Sequence, residues 1–193
     1  MKTFAFIKES LQNIKTVGTV TRSSGFLSRQ MAKKVDYQSA KFVIELGAGD
    51  GVITKEILKR LPKDAQLMVF EVNERFIEQL LSIEDERLIV VDDTAENIAH
   101  HLKNHGQTEV DAVVSAIPFV ILSDELRATI IKECMDVLKE NAPFVQVHYS
   151  LVLRGMYKEL FGNVKIGFVP LNIPPAFVMV SRKRREKEKK PIA

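Results

Sequence analysis

The stretch FVIELGAGDGVIT, Phe42 to Thr54, decides the fold. Phe42, Val43, Ile44 and Leu46 form an apolar run long enough for a buried parallel strand and too short for a helix. Gly47, Gly49 and Gly51 follow, residues that permit a tight turn and a close backbone approach to a ligand. The helical spacing of Val52, Ile53, Ile57, Leu58 and Leu61 begins at once. Strand, glycine turn and helix together aim free backbone N–H groups at one point, as a nucleotide cofactor requires.

Spacing narrows the cofactor. A dinucleotide fingerprint G-x-G-x-x-G needs its third glycine where this chain has Val52, so the pattern here is G-x-G-x-G. Glu45 stands two places before the first glycine, and a second apolar run, LMVF, ends in Glu71, placed to accept hydrogen bonds from a ribose diol. These features resemble the S-adenosylmethionine site of class I methyltransferases. The resemblance implies that Glu45, Gly47, Gly49 and Gly51 hold the methionine end and that Glu71 takes the ribose hydroxyls. It also implies that the loop Asp92-Asp93-Thr94-Ala95 presents Asp93 to the adenine amine beside Thr94, with Asp92 replacing a usual glycine. The competing reading is a phosphate-binding or purely structural glycine turn.

From residue 42 onward, strand and helix patterns alternate. Strands are expected at 42–46, 67–71, 88–91, 111–115 and 143–149, and helices at 52–61, 74–82, 95–104, 124–140 and about 151–161. Such a series gives a mostly parallel sheet with helices on both faces. The β-rich runs VKIGFV and AFVMVSR, separated by a proline-containing loop, fit an antiparallel hairpin at the sheet edge. By resemblance, the fold is a Rossmann-like α/β domain with seven strands in the order 3-2-1-4-5-7-6. Residues 1–193 then form a single methyltransferase domain: an N-terminal helical arm over 1–40, the Rossmann-like core over 41–181 and a basic tail over 182–193.

In such a sheet the reacting groups gather beyond the carboxyl ends of the strands, at the switch between strands one and four. Strand four ends VDAVVSAIPF. Ala116 stands where ribosomal RNA adenine dimethyltransferases carry an asparagine, and alanine cannot accept a hydrogen bond from an exocyclic amine. Ser115-Ala116-Ile117-Pro118 instead resembles the S-G-L-P segment of bacterial phospholipid N-methyltransferases, and Phe144-Val145-Gln146-Val147-His148-Tyr149 resembles their F-V-Q-F-T-Y. That family methylates the amine of phosphatidylethanolamine, and the resemblance assigns Ser115, Ile117, Pro118, Phe119 and Tyr149 to the acceptor side, with Ser115 also touching the cofactor. A quaternary ammonium product favours aromatic faces, so Phe119, Tyr149 and Phe26 are candidates for a cation–π wall, with core packing as the alternative for each. His148 is a poor proton acceptor, because strand alternation points it away from Tyr149.

The net charge of +3 conceals a division. Residues 1–40 and 181–193 each carry seven Lys/Arg against two acids, which leaves the body acidic. Basic ends suit an anionic membrane surface or, as the nucleic-acid alternative, RNA. Phe4, Ile7, Leu11 and Ile14 give residues 2–16 an amphipathic helical pattern, able to pack on the domain or to lie in a membrane interface. No run is long and apolar enough to span a bilayer, and the single cysteine, Cys134, fits a core position in a reducing compartment. The expected location is therefore cytoplasmic, peripheral at the inner face of the membrane. His100, His101 and His105 lack companions for a metal set, and amine methylation needs no metal. A catalytically idle S-adenosylmethionine-binding protein is the third reading.

Overall fold

The structure is a computed structural model, and residues 23–184 are described. The amphipathic stretch 2–16 and all of the basic tail beyond Arg184 lie outside them. The chain enters through α1 (Gly25–Ala32), capped by Ser24, whose Oγ accepts from the Leu27 N–H. There follow β1 (Phe42–Leu46), α2 (Val52–Leu58), β2 (Gln66–Glu71), α3 (Glu74–Leu81) and β3 (Leu88–Asp92). Next come α4 (Ile98–Asn104), β4 (Ala112–Ser115), α5 (Asp124–Val137), β5 (Pro143–His148), α6 (Arg154–Phe161), β6 (Lys165–Val169) and β7 (Ala176–Arg182). The seven strands form one sheet in the order β3-β2-β1-β4-β5-β7-β6, as the resemblance implied. β7 runs antiparallel to both β5 and β6, which makes the edge hairpin.

Strand alternation divides the core into two layers. Phe42, Ile44 and Leu46 face α4, α5 and α6 in a cluster with Phe70, Phe119, Phe144, Tyr157 and Phe161. Val43 faces the other way, toward α1 and α2, among Leu27, Met31, Ile53, Ile57, Val69 and Val145. Glu45 lies on this second side, wholly buried in mid-sheet. Asp111, just before β4, ties the amino ends of the central strands: its Oδ2 accepts from the Lys41 and Phe42 N–H groups at 2.7 and 3.0 Å.

Several helices are shorter than their apolar periodicity. α2 stops at Leu58, and Arg87 donates to the carbonyls of Leu58 and Leu61, so a side chain completes what another turn would have satisfied. α5 stops at Val137, because Leu138 is extended and bridges to Val110. Residues 95–97 form a 3₁₀ turn before α4. α6 starts at Arg154, so residues 149–153 form a loop at the end of β5.

Candidate cofactor and acceptor site

A cleft opens at the carboxyl ends of β1, β2, β3 and β4. The glycine loop after β1 contributes Gly47 and Gly49, both at positive φ (69° and 56°). A side chain at Gly47 would meet Ile117 Cγ1 at 3.1 Å and the Ile117 backbone nitrogen at 3.3 Å, so glycine lets the two central loops approach one another. Gly51 has a different job. Its Cβ would strike Leu80 and Ile83 at 3.2 Å, so it admits α3 and the segment after it against the loop, and it does not line the cleft.

Glu71, at the end of β2, holds the loops together. Its Oε2 accepts from the Gly49 N–H at 2.8 Å, and its Oε1 accepts from the N–H groups of Val72 and Asn73, each at 2.9 Å. Its carboxylate faces the cleft beside Val72, Asn73 and Phe76, three lining residues that the sequence reading did not single out. Asn73 was legible as the cap of α3, since a polar side chain directly before a helix commonly accepts from its first turn, here from the Phe76 N–H.

Asp93 and Thr94 line the cleft from the end of β3. Burial would raise the Asp93 carboxyl, but hydrogen bonds from His101, the Thr94 N–H and Asn97 outweigh it and hold the group below its ordinary value. His101 Nε2 lies 2.8 Å from Asp93 Oδ2, and its ring meets Phe70 edge-on at 5.6 Å. A histidine read from sequence as part of a solvated helix end is therefore the support of a cleft carboxylate. No group of residues able to hold a metal occurs among the described residues.

Glu45 lies beneath the glycine loop rather than on the cleft wall. Its Oε2 accepts from Thr54 Oγ1 at 2.7 Å, whereas Oε1 is buried without a hydrogen-bond partner. Burial, reinforced by the negative charges of Glu71 and Asp50, pushes its pKa up to about 8. The folded chain thus holds this proton more tightly than the unfolded chain does. The associated stability is complete below the ordinary value of 4.5 and is lost as pH rises through about 8. We expect Glu45→Gln to flatten the fall in melting temperature between pH 5 and pH 9 in the absence of ligand, a result read directly by thermal unfolding across that range. An unchanged slope would show that Glu45 does not carry it.

The acceptor wall is apolar: Ala116, Ile117, Pro118, Leu122 and Ile130. Ser115 is fully buried, its Oγ accepting from the Ile117 N–H at 3.3 Å, so it shapes the loop and does not line it. Gln146, also fully buried, donates from Nε2 to the Ile117 carbonyl at 2.9 Å and pins the same loop from β5.

The expected aromatic wall is not assembled. Phe119 is 0% exposed and packs at 6.4 Å from Phe144. The 3₁₀ turn at Phe119–Ile121 folds the chain back, and Arg127 Nε donates to the Phe119 carbonyl, which directs the ring into the core. Phe26 packs on the opposite layer. Tyr149 lies outside the cleft lining, 43% exposed just past β5. His148 is buried with Nε2 3.0 Å from the Tyr157 hydroxyl, and burial lowers its pKa to about 4, consistent with a neutral structural role.

The comparisons with known proteins agree with this geometry. Residues 43–141 match the family model described as a methyltransferase domain. An ornithine lipid N-methyltransferase from Singulisphaera acidiphila is 29% identical over 176 residues, covering 90% of this chain and 92% of that protein. A spermidine synthase in complex with a transition state analogue superposes with a TM-score of 0.62 at 16% identity; the match covers 86% of this chain and 62% of the synthase. A Streptococcus mutans protein solved with S-adenosylhomocysteine gives a TM-score of 0.60 at 18% identity over 81% of this chain and 96% of that one. These two structural likenesses speak to the fold. The match to the family model spans half of the sequence, and the chain belongs to the methyltransferase domain family as an enzyme whose methyl donor is S-adenosylmethionine.

Proposed function

We propose that the protein transfers methyl groups to the primary amine of a membrane lipid, with residues 41–181 as the catalytic unit. The observation that carries this reading is the composition of the acceptor wall. Ala116, Ile117, Pro118, Leu122 and Ile130 offer no side-chain hydrogen-bonding group, so they suit an amine on a flexible alkyl stem and not a base edge. The likeness to an ornithine lipid N-methyltransferase supports it.

The cleft fits the donor. Glu71 would accept from the ribose hydroxyls and Asp93 from the adenine amine, while Gly47 and Gly49 leave room beside Thr94. Glu45, below the loop and holding its proton in the free protein, would give that proton up and balance the cationic methionine end once the cofactor's ammonium and sulfonium lie above it. When bound, S-adenosylmethionine supplies an electrophilic methyl group on a sulfonium. The chain's task is to align the amine with it and to exclude water. The apolar wall disfavours an ammonium and so favours the neutral, nucleophilic amine, its proton passing to solvent. Glu71 and Asp93, the ionisable residues lining the cleft, lie on the cofactor side, so neither is assigned as a base.

Phosphatidylethanolamine is the acceptor that the sequence resemblance favours, with ornithine lipid as the second candidate. The basic ends would add attraction to an anionic leaflet. No helix among the described residues is long and apolar enough to cross a membrane; the placement proposed is peripheral, at the inner face. The test is to offer labelled S-adenosylmethionine together with vesicles containing phosphatidylethanolamine, vesicles containing ornithine lipid, or undermethylated ribosomal RNA. Label is expected in lipid. Label in RNA alone would replace this reading with the nucleic-acid one, and label in none would favour the idle binding protein.

A further inference from the structure

The carboxyl edge of the sheet has two unlike halves. The loop after β1, the last residue of β2 and the loop after β3 supply Asp50, Glu71 and Asp93. Residues 116–123, 149–153 and 170–175, the loops at the ends of β4 and β5 and between β6 and β7, contain nineteen residues and not one charged side chain, in a chain that is 27% charged. β7 pairs antiparallel with β5, His148 opposite Phe177, so the loop before β7 lies at the same edge as the loop after β5. The opposite edge is ordinary: Lys33 to Lys41, Lys59 to Asp64 and Lys139 with Glu140 all bring charges to its loops.

The three uncharged loops also gather the exposed apolar side chains. Of eleven large hydrophobic residues exposed among the described residues, seven are here: Val120 and Ile121, Tyr149, Leu151 and Val152, Leu171 and Ile173. Val152 is 76% exposed and Ile173 85%. The outward direction is built in. Asn172, between Leu171 and Ile173, is 2% exposed; it accepts from the Ser24 N–H and donates to the Pro174 carbonyl, so its neighbours are turned to solvent. Clustered exposure of this kind marks a contact surface.

We propose that these three loops form a rim that inserts into the boundary between headgroups and hydrocarbon of a lipid bilayer, seating the acceptor wall at the depth of the lipid amine. The inference rests on the lipid reading above and adds a surface to it. The rim is continuous with the cleft, since Ile117, Pro118 and Leu122 line the cleft and Val120 and Ile121 leave the same loop outward. A nucleic acid would require cations for its phosphates, and the rim has none. Apolar insertion gains from removing surface from water, so it persists where salt screens the attraction of the basic ends.

The test compares the full-length protein with Val152→Asp/Ile173→Asp and, as a control, Leu81→Asp, an exposed apolar position at the far end of α3. Vesicles of phosphatidylcholine with phosphatidylethanolamine are floated at low salt and at about 0.5 M salt, where screening lengths are only a few ångströms. The wild type and the control are expected to keep vesicle binding at high salt, and the rim variant to lose about tenfold or more, with a matching loss of vesicle methylation. Its S-adenosylhomocysteine binding, its melting temperature and its turnover of a monomeric short-chain lipid should be unchanged. Salt-abolished binding by the wild type, or equal binding by the rim variant, overturns the rim. So does a rim variant that melts lower in the absence of vesicles, because residues 1–22 would then be the occupant. Methylation of monomeric lipid without rim dependence keeps the lipid reading and removes the rim. Rim-dependent binding with no lipid ever methylated keeps the rim and removes the lipid reading.

Discussion

Phe119→Ala is expected to lower the unfolding free energy by about 3–5 kcal/mol, the usual cost of truncating a fully buried phenylalanine. The ring is 0% exposed and sits in the layer formed by Phe144, Tyr157 and Phe161, with Phe144 and Phe161 stacked at 5.5 Å. Removing it opens a cavity beneath the acceptor loop that the surrounding strands cannot close. Chemical denaturation measures the loss. Phe119→Leu should recover much of the stability and, in the folded fraction, leave cofactor affinity and methylation near wild type, because shape rather than a π face is what the site uses. If Phe119→Leu keeps full stability while methylation collapses, the ring serves the acceptor and its core assignment fails.

The central fold was legible because its signals are local. The run Phe42 to Leu46, three glycines and an amphipathic turn within thirteen residues specify a strand, a sharp turn and a helix without reference to the rest of the chain. Glu71 was legible at the carboxyl edge of the sheet for the same reason, since it closes an apolar run, whereas Asp93, one residue past β3, was singled out by the family resemblance. Phe119 was not, because its direction is set by Arg127, eight residues away on α5, which donates to the carbonyls of Phe119 and Leu122. Gly51 and His101 misled likewise. The first answers to Leu80 and Ile83 and the second to Asp93, partners that only the folded chain brings near. The uncharged rim was present in the sequence as three separate segments. Only the antiparallel entry of β7 placed the third beside the other two.

Glu71→Ala is expected to weaken S-adenosylhomocysteine binding by about 1–3 kcal/mol, roughly fivefold to 150-fold. Two effects combine. The carboxylate is the acceptor proposed for the ribose hydroxyls, and it already receives the N–H groups of Gly49, Val72 and Asn73, so its removal also frees the glycine loop from β2. Glu71→Gln should recover little, since an amide nitrogen placed against any of these N–H groups cannot accept from it. A double comparison separates the two effects. A cofactor analogue lacking both ribose hydroxyls should bind the wild type weakly and lose with Glu71→Ala only the smaller part that comes from the freed loop, whereas S-adenosylhomocysteine should lose the full amount. Equal losses for both ligands by calorimetry would reduce Glu71 to a loop anchor. Undiminished binding of S-adenosylhomocysteine by the alanine variant would remove it from the cofactor site altogether.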